Sequence, residues 1–103
     1  MFYVVMVTTK DESEAKRLGE KLVSEKLAAC VSVVTKVSSV YRWRGKIERA
    51  DEALMLIKTS HKKLDRLIPR IKELHTYEVP EVLVLSVEKG SPEYIKWLEE
   101  SLR

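Results

Sequence analysis

The nine residues ELHTYEVPE, Glu73 to Glu81, hold a histidine, a tyrosine, three carboxylates and a proline. No other stretch of the chain is as rich in side chains able to bind something. His75 with Glu78 and Glu81 offers imidazole nitrogen and carboxylate oxygen, a donor set that suits zinc or copper. Two or three ligands in one loop do not close a tetrahedral structural site. A metal here would occupy an open site or one shared between chains. The same residues also have a purely structural reading. His75 falls in the last turn of a helix, where the dipole favours a cation and the ring can act as a cap. Tyr77 can cover the core.

A second candidate is YRWRGK, Tyr41 to Lys46. On a strand Tyr41 and Trp43 share one face, and Arg42 and Arg44 the other. Bases stacked on the aromatics with phosphates on the cations would make a nucleic-acid surface. A protein interface is the second reading, since Tyr, Trp and Arg are enriched there. An ordinary hairpin with a cationic tip is the third. Cys30 has no partner in sequence and reads as a packing residue. His61, among lysines at the start of a helix, reads as solvated surface. There is no P-loop, G-x-S-x-G, G-x-G-x-x-G or H-E-x-x-H string. No nucleophile, base and anion cradle converge in the pattern, which argues against an enzyme, including a small phosphate-hydrolysing one. The RNA-recognition signature is also missing.

These candidates must be positioned by the elements around them. FYVVMVTT, Phe2 to Thr9, is β-branched, aromatic and apolar on both faces, which predicts a central strand. Thr9 and Glu12 have capping-box spacing, with Asp11 as the alternative cap. Ala15, Leu18, Leu22 and Val23 predict an amphipathic helix ending near Leu27. AACVSVV opens a second strand. The stretch to Ser60 reads as a long hairpin turning at Arg44–Lys46, where Gly45 takes positive φ freely. Ser60 is placed to cap a helix carrying Leu64, Leu67, Ile68, Ile71 and Leu74, with a kink expected at Pro69. EVLVLSVE, Glu81 to Glu88, predicts a strand apolar on both faces. Ser91 and Pro92 then start a last helix, with Tyr94, Ile95, Leu98 and Leu102 as its buried stripe. The order β-α-β-β-α-β plus a C-terminal helix predicts an α+β, ferredoxin-like single domain over residues 1–103.

Composition narrows the partners. With 19 basic and 16 acidic residues the net charge is +3, too balanced for a phosphate-backbone binder. One cysteine cannot form an internal disulfide, which suits the cytoplasm. The longest apolar run, FYVVMV, is far short of the ~20 residues of a membrane helix. Asn and Gln are both missing while charged residues reach 34%, a trend of thermostable proteins.

Taken in order and spacing, EKLAACVSVV, YRWRGKIE, LIKT and ELHTYEVPE closely resemble the CutA divalent-cation-tolerance proteins, from Val4 to the C-terminal helix. The resemblance implies a homotrimer of ferredoxin-like subunits, architecturally like the PII signalling proteins, with long hairpins wrapped onto neighbours. It implies a role in tolerance of copper or other divalent cations, bound weakly with no obligatory cofactor, or of a small ligand in the inter-subunit clefts. Carried over by position, Tyr41 and Trp43 belong to an interface. Lys58 and Tyr77 line a ligand cleft, and His75, Glu78 and Glu81 are the metal candidates. Thr76 departs from the family block's usual proline. Val7 and Leu74 stand where some members carry cysteine and histidine, which weakens a copper site. A ferredoxin-like nucleic-acid-binding module is the alternative reading.

Overall fold

The computed structural model describes residues 1–103. The elements are β1 (Phe2–Thr9), α1 (Glu12–Ser24), β2 (Cys30–Trp43), β3 (Lys46–Ser60), a 3₁₀ turn (His61–Lys63), α2 (Leu64–Leu74), β4 (Leu83–Ser86) and α3 (Pro92–Ser101). The strands form one sheet in the order β2-β3-β1-β4, with every neighbouring pair antiparallel. This is the expected ferredoxin-like arrangement with its extra C-terminal helix. No helix is long and apolar enough to cross a membrane.

The sheet owes its asymmetry to the two-residue period of its strands. Val5, Val7, Ala53, Met55 and Ile57 point to one face and are fully buried. There they join Ala15, Leu18 and Leu22 of α1 and Leu67 and Ile71 of α2 in one cluster. Burying each of the larger side chains contributes roughly 1.5–3 kcal/mol, so this layer is the main source of stability. On the opposite face Val4, Met6, Leu54 and Leu56 remain half-buried. A smaller cluster of Ala29, Leu98 and Leu102, with Phe2 and Ile95, attaches α3. Tyr94, expected in that stripe, is instead 43% exposed, because α3 packs through Ile95, Leu98 and Leu102 and leaves Tyr94 stacked on Trp97 at 5.5 Å.

Several boundaries differ from the expectations, each for a local reason. Asp11, not Thr9, caps α1. Its carboxylate accepts the Glu14 N–H at 2.8 Å, while Glu14 reaches back to the Lys10 N–H at 3.1 Å. The helix stops at Ser24 rather than near Leu27, because Lys26 adopts φ +58°. Lys26 N–H then bonds Val23 O, and Leu27 N–H bonds Leu22 O. This is a Schellman closure with lysine where glycine is usual. Ser60 precedes a 3₁₀ turn and makes no side-chain cap bond, so α2 proper starts at Leu64; Pro69 lies inside it. Strand β4 is short and lies at the sheet edge. Leu83, Val84 and Leu85 are 57%, 39% and 47% exposed, where apolarity on both faces had predicted burial.

The β2–β3 hairpin sets the molecule's shape. Its 14-residue first strand rises at ~3.3 Å per residue, which accounts for the 44 Å long axis. A bulge between Val34 and Val37 separates the part that pairs over the core from the outer part. At the tip Trp43 pairs with Lys46, and Arg44 and Gly45 have φ +51° and +79°. Two consecutive positive φ values are what a type I′ hairpin turn requires. A Cβ on Gly45 would meet nothing within 4 Å, so any penalty there is conformational and not steric. Gly45→Ala is therefore expected to lower amide-exchange protection across Trp43–Lys46 by about five- to tenfold, from a left-handed cost of ~1 kcal/mol, with the core amides unchanged. Unaltered protection at the tip would show that the turn does not hold this conformation in solution.

Candidate ligand cleft

The stretch after α2 is organised by a buried joint. His75 caps α2 with an extended backbone, and its N–H still bonds Ile71 O at 2.9 Å. Its ring turns inward. Nε2–H donates to the Thr8 carbonyl at 2.7 Å, and Nδ1 accepts the Tyr77 N–H at 3.0 Å. Only one tautomer satisfies both bonds, so the network assigns it. Behind the ring lies Glu14, with Oε2 at 4.0 Å from Nδ1 and both side chains all but fully enclosed. The same oxygen accepts the Thr76 N–H at 2.9 Å. No buried side-chain nitrogen or oxygen is left without a partner.

The joint also determines the charge state of its carboxylate. Burial works to raise the Glu14 pKa. The hydrogen bonds from Thr76 and from the Lys10 backbone, with His75 nearby, outweigh it and hold the group below its ordinary value. Charge-assisted bonds are worth roughly twice neutral ones, which is why these bonds overcome the desolvation.

Beyond the joint Tyr77 leans against His75, ring centres 4.8 Å apart, and its hydroxyl donates to Glu52 Oε2 at 2.7 Å. Burial first, then the hydrogen bond and charge of Glu52, push the Tyr77 hydroxyl far above its ordinary range. It therefore remains a donor at any physiological pH. Tyr77 and Glu52 form the inner wall of a cleft of ≈ 620 Å³. Tyr41 and Trp43 of the hairpin, with Glu78 and Glu81 of the loop, complete its rim. Arg44 reaches across from the hairpin tip to Glu78 at 3.6 Å. The size is that of a small-molecule site. Its polar lining is carboxylate, phenol and the hydroxyl residues Thr8, Ser38 and Ser39, which can hold a cation or a ligand with amino or hydroxyl groups.

Of the residues singled out in the sequence, Tyr41, Trp43, Tyr77, Glu78 and Glu81 come together here. His75 does not join Glu78 and Glu81 as a ligand set. Both of its nitrogens are bonded to backbone, its ring faces the core, and the Glu78 side chain is 76% exposed. No three His, Cys, Asp or Glu side chains converge as a metal site anywhere in the chain. Lys58 is also elsewhere. It lies on the sheet's open face, donating to the Ser32 hydroxyl and approaching Cys30 Sγ at 3.8 Å. Cys30 is thus half-buried beside a lysine rather than sealed in the core. His61 is exposed, with Nδ1 3.4 Å from the Tyr3 hydroxyl. Glu52 and Glu14 were missed by sequence reasoning. The D-x-x-E spacing of Asp11 and Glu14 was a usable signal for the second; nothing local marked the first.

The folded pKa of Glu14 lies below its ordinary 4.5, so its contribution to stability is complete above that value and is lost as pH falls through it toward the folded pKa. Glu14→Gln is expected to cost about 1–3 kcal/mol near neutral pH, because its one amide oxygen can accept only one of the two N–H groups and its NH₂ opposes the other. It should also flatten the loss of stability on acidification. Denaturation midpoints of both proteins measured over the acid range check this. Parallel curves would show that Glu14 is not the group responsible.

Comparison with known proteins adds the lineage. Residues 3–101 match the model of the family described as CutA1 divalent ion tolerance protein. A chloroplastic CutA protein of Oryza sativa is 44% identical over 100 residues, 97% of this chain and 56% of its own length, so the chain spans little more than half of that relative. The divalent-cation tolerance protein CutA of Thermus thermophilus is 41% identical over 98 residues, 95% of either chain. A solved structure of a periplasmic divalent cation tolerance protein CutA from Archaeoglobus fulgidus superposes with a TM-score of 0.96 at 32% identity, covering 100% of both chains.

Proposed function

Because the chain belongs to the CutA1 divalent ion tolerance family, we propose that it serves divalent-cation tolerance as a homotrimer, with a weak cation or small-ligand site in the cleft beside Tyr77. The observation that supports this reading is an open cleft at the hairpin lined by Glu52, Glu78 and Glu81 and by three aromatic rings, although the three carboxylates do not converge on one point. Glu78 and Glu81 are the exposed ligands of the proposed site. His75 supports it from behind by fixing Tyr77. Binding is modest, since few donors converge within one chain and oxygen is their only donor atom. Copper ranks ahead of zinc at such a site.

The proposed role is binding: the Tyr77 hydroxyl, which donates to Glu52, is held as a neutral donor. Nothing there favours nucleic acid, because lining carboxylates repel phosphate. The trimer is supported by what a single chain leaves uncovered. Val34 and Val40 of β2 and Leu83 and Leu85 of β4, the two edge strands, are all more than 40% exposed, as is Ile47 on the outer hairpin. Apolar surface and open edges of this extent are characteristic of interfaces, and a head-to-tail contact that closes makes a ring. A cytoplasmic setting suits the single free thiol. High thermal stability follows the lack of Asn and Gln.

Two experiments test this reading. In calorimetric Cu²⁺ and Zn²⁺ titrations, Glu81→Ala should weaken copper binding several-fold. His75→Ala should lower stability by roughly 2–4 kcal/mol, through two orphaned backbone groups and a cavity, and, by releasing Tyr77, weaken binding no more than Glu81→Ala does. Loss of copper binding in His75→Ala alone would return the metal to the imidazole. Separately, light scattering at micromolar concentration should give the mass of three chains, and Trp43→Ala should shift it toward smaller species. A wild-type monomer would overturn the assembly.

A further inference from the structure

At the opposite end of β1 from the acidic cleft lies a larger one, ≈ 1140 Å³, between the start of β1, the 3₁₀ turn and the end of α3. Its charge is unlike that of the rest of the molecule. Lys62, Lys63, Arg66 and Arg103 line it against Glu99 alone. That local excess of +3 equals the net charge of the whole chain, so the other ionisable side chains balance one another. Glu99 is already engaged by Arg103 at 3.5 Å. Lys62, Lys63 and Arg66 meet no carboxylate within 4.0 Å. Neighbouring Arg70, by contrast, is held by Glu25 in a two-bond fork at 2.9 Å.

Gathering free cations in this way is unfavourable in the empty protein. Like charges in a cleft repel, and low-dielectric walls focus their field. These three also sit at the start of α2, where the helix dipole disfavours cations, and no side chain caps that end. An anion bound among them removes both penalties. Lys62 and Arg66 both line the cleft, and Tyr3, whose hydroxyl donates to Met1 Sδ at 2.9 Å, lies at its wall. Phe2 and Leu102 provide apolar surface.

We propose that this cleft is a binding site for a small anion carrying two or more phosphate groups. A single phosphate carries only about −1.5 to −2 near neutral pH, too little to match the +3 lining. Arginine recognises phosphate through its planar fork, and the lysines act as point charges. The phosphate chain can come from an inorganic polyphosphate or from the tail of a nucleotide.

Calorimetry on the intact protein, without divalent metal, tests the site with inorganic tripolyphosphate and with ATP. Tripolyphosphate should bind saturably, one per chain, and less tightly as salt is raised. The exposed pair Lys62→Ala/Arg66→Ala should weaken it about a hundredfold, at roughly tenfold for each charge-assisted contact. The control pair Lys72→Ala/Lys96→Ala removes the same charge outside the cleft and should stay within twofold. Circular dichroism melts of both variants exclude unfolding as the cause. ATP binding as tightly as tripolyphosphate identifies recognition of the phosphate chain alone; ATP binding at least tenfold tighter assigns the apolar surface to the base. No saturable binding at millimolar tripolyphosphate, or equal weakening by the control pair, would overturn the site.

Discussion

One buried carboxylate ties together the segments on which the cleft depends. Glu14 accepts from the backbone just before α1 and from the backbone just after α2, and it lies against the His75 ring. His75 in turn holds the last turn of β1 through Thr8 and the next loop through Tyr77. Two segments more than sixty residues apart in sequence, Thr8–Glu14 and His75–Tyr77, thus meet in bonds around two enclosed side chains. In such surroundings each bond is stronger than in water, and each missing partner costs more. The arrangement tolerates little slack, which explains how a loop of polar residues can present Tyr77 in one orientation. Tyr77 then fixes Glu52, and with it the floor of the cleft.

The two faces of the sheet divide the remaining work. The face under α1 and α2 is sealed by aliphatic side chains and carries most of the stability. The other face is apolar but only half covered, and the outer hairpin is exposed on both sides. A chain that needed only to fold alone would place charges on those positions. Leu54, Leu56, Leu83 and Leu85 leave this face apolar and partly open, which is the surface the proposed assembly would cover.

Much of this was legible in the sequence. The 3.6-residue spacing of α1 and α2, the β-branched apolar run of β1, and Gly45 within a turn at Arg44–Lys46 were sufficient for the element order and the fold. The errors came where a residue took an uncharacteristic role or where a partner was distant. Lys26 closes α1 in the left-handed region usually held by glycine, so the helix seemed to run on. β4 has the apolar pattern of a central strand, and periodicity cannot tell a face covered by its own chain from one left open. For His75, spacing to Glu78 and Glu81 suggested ligation. The actual partner is a carbonyl 67 residues away, and a backbone acceptor leaves no trace in side-chain identity. The cap reading was available from the helix end alone, and it is the one the geometry supports.

The two clefts lie at opposite ends of β1 and carry opposite charge, carboxylates beside Thr8 and cations beside Tyr3. An eight-residue strand spans roughly 25 Å, about three Debye lengths at physiological salt, where each is ≈ 8 Å. Direct electrostatic influence between exposed groups at the two ends is therefore largely screened, and the near-neutral total charge conceals two independent fields. Whatever links them must be mechanical. β1 is paired along its whole length with β3, and its far end is clasped by the His75 ring at the Thr8 carbonyl. β1 reaches the acidic cleft directly, since Thr8 lines it, and again through the His75 ring, which bonds the Thr8 carbonyl and holds Tyr77. The histidine whose nitrogens are bonded to backbone is thus one of several connections between the sheet and the cleft, beside Thr8 and Glu52.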